Sequence, residues 1–83
     1  MSAMFVIQSF RQGERGRLLA DSPVQANNTN HARRMAERLA QHKALVVAFT
    51  REGNPKTGEY EEAKLIEAFG ADIPEEVREM PRA

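Results

Sequence analysis

The sequence predicts a single α+β domain with element order β-β-α-β-α, in which a three-stranded antiparallel sheet of order 2-1-3 carries one amphipathic helix on one face. Three observations support this. Residues 4–10 are rich in aromatic and β-branched side chains and precede a glycine-bounded turn. Residues 29–43 place apolar side chains at helical spacing, and residues 44–50 are apolar in both alternating directions. At 83 residues the chain has no material for a second core. A domain of this size hides only about 60–65% of the surface its unfolded form exposes, so extra burial by pairing with a copy of itself is expected.

The segment MFVIQSF at 4–10 reads as the first strand, RQGERG as a hairpin loop, and RLLADSPVQA at 17–26 as the returning strand. Pro23 has no amide to donate, which puts this second strand at a sheet edge or ends it there. In NNTNHARRMAERLAQHK, Ala32, Met35, Ala36, Leu39 and Ala40 recur at i, i+3, i+4, i+7 and i+8, with Asn28 or Thr29 as the capping residue. The small alanines let such a helix lie close on a sheet. Arg33, Arg34, Glu37, Arg38 and Gln41 fall on its outer face.

ALVVAFT at 44–50 is the third strand. Leu45, Val47 and Phe49 project one way and Val46 and Ala48 the other, so both faces need cover. The helix takes one. The other is left to the C-terminal segment or a second subunit, and Val46 and Ala48 are the residues expected at a self-association surface. REGNPKTGEY at 51–60 is a turn, because Gly53, Asn54, Pro55 and Gly58 supply turn backbone angles. Residues 59–69 read as a second helix with Ala63, Ile66 and Phe69 on one face and Gly70 as its stop; an extended strand from Tyr60 is the competing reading. PEEVREM adds one helical turn with Pro74 at its first position.

Composition narrows function. The chain lacks cysteine, which excludes disulfides, thiolate zinc sites and cysteine nucleophiles and suits a reducing cytoplasm. No signal peptide and no membrane helix are expected, since every apolar run falls short of about 20 residues. Net charge is zero, yet residues 1–56 hold nine Lys/Arg against four Asp/Glu while residues 57–83 hold three against eight. Glutamate-rich C-terminal helices would account for that asymmetry.

Each chemical motif meets a physical objection. GNPKTGE resembles a phosphate-binding loop, but the glycine required before the lysine is Pro55, which lacks the amide the cradle needs. GERG at 13–16 matches a nucleic-acid-clamping glycine loop, which should join two helices and here joins two strands. His31 and His42 lie about 16 Å apart along a helix, too far to share a metal, so neither a metal nor a cofactor is expected. Glu59, Glu61 and Glu62 beside Tyr60 have no neighbour that marks a pocket, and Ser9 and Ser22 have no nucleophile elbow. No catalytic residue is assigned. Arg33, Arg34 and Arg38 form a patch able to meet phosphates, though a neutral chain without exposed stacking aromatics fits that role poorly.

Across nearly its whole length the chain resembles a group of small bacterial proteins to which no activity is attached. The resemblance rests on MFVIQSF, ARRMAERLA, VVAFTREGNPKTGEY and FGADIPEEV, most specifically on the N-P-x-T-G-E-Y turn and a closing G-x-x-I-P. It implies a bacterial origin and a compact fold, with no catalytic residue to carry over. The expected function is a non-enzymatic interaction or regulatory accessory protein that forms a homodimer through its sheet. The runner-up is a nucleic-acid-binding module using Arg33, Arg34 and Arg38 on the helix at 29–43, and a third reading is small-ligand binding or catalysis at the 51–60 turn.

Overall fold

The computed structural model describes residues 2–83. Six strands form one antiparallel sheet: β1 (Ser2–Gln12), β2 (Leu18–Ala20), β3 (Val24–Ala26), β4 (Leu45–Asn54), β5 (Glu59–Tyr60) and β6 (Lys64–Gly70). The helices are α1 (Thr29–Leu39) and the single turn α2 (Glu75–Arg78), with a short 3₁₀ turn at Glu14–Gly16. The two long strands β1 and β4 lie side by side at the centre. β1 carries β2 and β3 end to end along its outer edge, and β4 carries β5 and β6 along the other.

The three-stranded sheet of order 2-1-3 is therefore corrected to six strands, with β2-β1-β4-β5 as its principal path. The outer strands are each interrupted. Residues 21–23, ending in Pro23, separate β2 from β3, because proline cannot donate to a ladder and bends the chain away from it. Residues 61–63 separate β5 from β6 without a proline.

The larger correction concerns residues 59–69, which form no helix: they are extended, as in the competing reading, with β5 at 59–60 and β6 from Lys64 on either side of a break at 61–63. Opposite β6 the register on β4 runs Ala48 to Glu67 and then Phe49 to Leu65, leaving Ile66 without a partner of its own. This is a β-bulge, in which two residues of one strand oppose one of the next. The extra residue shifts the alternation, so Ile66 and Phe69 reach one sheet face while Leu65 and Ala68 reach the other. Each face thus receives residues three apart, which is the spacing of a helix. Gly70 ends a strand.

α1 is built as its sequence requires. Asn28 caps it, its side-chain Oδ1 accepting from the His31 amide at 2.8 Å, while the Asn27 amide donates to His31 Nδ1 at 3.0 Å. The first bond satisfies an amide that a helix start leaves unpaired, and the second ties the residue before the cap to the first turn. The inner face carries Ala32 and Ala36, both fully buried, with Met35, Leu39 and Ala40 around them, and it packs on Ile7, Val46, Ala48 and Ile66. With only methyl groups at its centre, the helix lies close on the sheet.

The second sheet face presents Leu45, Val47 and Leu65 as a separate buried cluster. Ile73, Val77 and Met80 from the C-terminal segment pack against it. That segment is tied down at β6, where the Leu65 amide donates to Pro81 O at 2.7 Å and the Ala83 amide donates to Leu65 O at 2.9 Å. Both faces of β4 are sheltered, one by α1 and the other by residues 73–80.

The turn expected over 51–60 is shorter in the structure: residues 51–54 belong to β4, 59–60 to β5, and residues 55–58 form the hairpin corner between them. Asn54 organises it: its carbonyl accepts from the amides of Thr57 and Gly58 at 3.3 and 2.8 Å, and its side chain accepts from the Lys56 amide at 3.0 Å. Gly58 takes φ +75, a left-handed conformation that favours glycine. Gly53 is buried beneath the Tyr60 ring, which occupies the space a Cβ would need.

Candidate interaction surface

The sequence-derived site residues fall in three places. Arg33, Arg34 and Arg38 are exposed on the outer face of α1, and among the described residues none of them forms an ion pair. Val46 and Ala48 are completely buried under α1, which corrects their assignment to a self-association surface. β4 does alternate as its sequence predicts, but the helix settles on the Val46 side, where Ala48 shares one buried cluster with Ala32 and Ala36. The 51–60 turn uses its own backbone and Asn54 to bond within itself, and Arg51 turns its guanidinium to the Glu61 carbonyl at 2.7 Å.

Apolar exposure is concentrated elsewhere. Among the described residues the exposed large hydrophobic side chains are Leu18, Leu19, Val24 and Tyr60. The first three stand on β2 and β3, the outer strand of the β1 edge. A second apolar region is a shallow cavity of about 190 Å³ on the second sheet face, between β1 and the C-terminal segment, lined by Gln8, Phe10, Val47, Phe49, Val77 and Met80 among others. The C-terminal segment covers the β4–β6 side of that face and leaves the side of Phe10 partly open.

The β2–β3 edge is held to the body by a polar cluster that sequence reading did not identify. Asp21 lies in the break between the two strands and half-buried. Its Oδ2 accepts from Lys43 Nζ at 3.1 Å and from the Ser9 hydroxyl at 3.0 Å, and its Oδ1 accepts from Arg11 Nη1 at 3.0 Å. Its amide also donates to Ser9 O at 2.9 Å. The Lys43 and Ser9 bonds, with a smaller part from Arg11, hold the Asp21 carboxyl below the usual carboxylate range, against a partial opposing effect of burial. A depressed carboxyl pKa contributes stability above the unfolded-state value and loses it as pH falls through the folded value. The destabilisation caused by Asp21→Asn is thus expected to be full at pH 7 and to shrink below about pH 4. Urea denaturation of both proteins across that range checks this, and a difference that does not vary with pH would contradict it.

The arrangement supplies surfaces for contact. Asp21 is fully engaged by its neighbours, His31 is bound into the start of α1, and Ser9 donates its hydroxyl to a carboxylate. Among the described residues no group of three or more His, Cys, Asp or Glu could hold a metal, and no helix is long and apolar enough to cross a membrane. Comparison of the chain with family models, with curated proteins and with solved structures finds no match in any of the three.

Proposed function

We propose that this chain is a non-enzymatic interaction module, an accessory or regulatory protein that works by binding and that pairs with a second copy of itself through its sheet. The observation that carries this reading is where its apolar exposure lies. Leu18 and Leu19 on β2 and Val24 on β3 lie along one edge of the sheet, Leu18 on one face and Leu19 and Val24 on the other, whereas the exposed face of α1 is charged. Apolar side chains along a free strand edge suit self-pairing, and proteins that do not pair there usually blunt such an edge. Sedimentation from ~1 µM to ~1 mM is expected to show a reversible monomer–dimer equilibrium. A single monomeric species over the whole range would overturn the reading.

A second reading is favoured by the arginines of α1. Arg33, Arg34 and Arg38 are exposed and free of ion pairs among the described residues, so their charge is available to phosphates. It predicts salt-sensitive binding of labelled DNA or RNA that Arg33→Glu with Arg34→Glu abolishes. No binding at low salt would remove it.

A further inference from the structure

We infer that the two copies join by antiparallel pairing of β2 with β2, centred on Leu19, so that the two sheets become one. The inference rests on the self-association proposed above and adds to it the strand, the partner and the register.

The hydrogen-bond pattern identifies the free groups. In an antiparallel ladder, alternate residues direct both backbone groups to the same neighbour. The Asp21 amide donates to Ser9 O and the Gly13 amide donates to Arg17 O, which fixes the phase of this hairpin. Leu19, paired with Arg11, directs its amide and carbonyl inward to β1. Leu18 and Ala20 therefore direct theirs outward, away from the sheet. Such a row of donors and acceptors matches an extended strand.

The opposite edge is less available. There β6 carries a bulge at Ile66, and the chain's own C-terminal segment already bonds both the amide and the carbonyl of Leu65. Among the described residues nothing comparable covers Leu18–Ala20, whose residues are all exposed.

The register follows from counting bonds. With a two-fold axis at Leu19, Leu18 of each copy faces Ala20 of the other, and all the outward groups of both residues are used, about four bonds in all. An axis at Leu18 or at Ala20 brings only one such residue against its own copy, and the next outward partner falls in the 3₁₀ turn or in the break before Pro23. The Leu19 register also sets the two Leu19 side chains against each other on one face and Leu18 against Ala20 on the other. Arg17 of one copy then opposes Asp21 of the other, and no like charges face each other directly. A contact this short is small, which fits a weak and reversible dimer and not an obligate one.

The chain has no cysteine, so a disulfide in a single-cysteine variant can form only between copies. At a non-hydrogen-bonded antiparallel pair the Cα atoms are about 4.5 Å apart, within disulfide reach. Leu19→Cys under mild oxidation is expected to give covalent dimer at least ~10-fold faster than Tyr60→Cys, which is similarly exposed on the opposite edge. Ala20→Pro removes an amide the monomer fold does not use, and should weaken the dimer at least ~10-fold with the circular dichroism spectrum retained. A dimer that forms in sedimentation while Leu19→Cys links no faster than Tyr60→Cys would overturn the edge assignment and leave self-association standing. A chain that remains monomeric at every concentration would overturn both. Should Ala20→Pro not fold, the relative linking rates decide.

Discussion

Replacing Val46 with Asp is expected to destabilise the chain by about 4 kcal/mol or more, a large share of what a domain of this kind has. Val46 is wholly buried on β4 beneath α1, in a cluster with Ile7, Ala36 and Ile66, and the polar residue opposite it, Ser9, already gives its hydroxyl to Asp21. An aspartate there must either stay ionised in an apolar layer or push α1 away. Leu19→Asp, on the exposed outer strand, is the comparison: it should change monomer stability by less than about 1 kcal/mol while weakening self-association. Urea denaturation of the two variants measures the contrast. A Val46→Asp chain as stable as the parent would mean that α1 does not cover this face.

Ile7→Ala is the second large effect, expected at about 2–5 kcal/mol. Ile7 is fully buried at the centre of β1, where it faces Ala48 across one ladder and Val24 across the other. The helix above it offers only Ala32 and Ala36 at its most buried positions, and alanine has no rotamer with which to refill a void. The cavity should therefore persist, which places the cost toward the upper part of that range. A chemical-denaturation midpoint unchanged by Ile7→Ala would show that the cluster is loosely packed.

These two positions also show how much the sequence could tell. The helix was legible because Ala32, Met35, Ala36, Leu39 and Ala40 repeat with one period and Asn28 stands where a cap must. The two-sided character of residues 45–49 was equally legible, as was the edge position that Pro23 requires. What alternation cannot say is which side of a strand receives the helix, and Val46 and Ala48 were assigned to the wrong side for that reason. The helix reading of residues 59–69 prevails over the strand reading in sequence because the bulge at Ile66 gives an extended chain the three-residue spacing of a helix. A local period carries no record of the long-range pairing with β4 that produces it. The β-branched and aromatic residues Ile66 and Phe69, with Gly70 beyond, were compatible with either reading.

The candidate surface was less legible than the fold. Asp21, Ser9, Arg11 and Lys43 lie in separate parts of the chain and meet only after the hairpin closes and α1 delivers Lys43 to it. The sequence signal that could have found them is Asp21 itself, a charged residue two positions before a proline in an otherwise apolar returning strand. Exposure of Leu18 and Leu19 was hidden for a different reason. Two adjacent leucines look like core in a one-dimensional reading, but they stand on opposite faces of an edge strand, outside the clusters formed by α1 and by the C-terminal segment.

The shelter of β4 on both sides is tested most directly by ending the chain after Gly70. This removes Ile73, Val77 and Met80 from above Leu45, Val47 and Leu65, together with the two backbone bonds that tie the C-terminal segment to β6. Half-burial of three such side chains is worth on the order of 2–4 kcal/mol, so the shortened chain should show a clearly lower urea midpoint and bind a dye that reports exposed apolar surface. A shortened chain with the parent midpoint and no dye binding would contradict two-sided shelter.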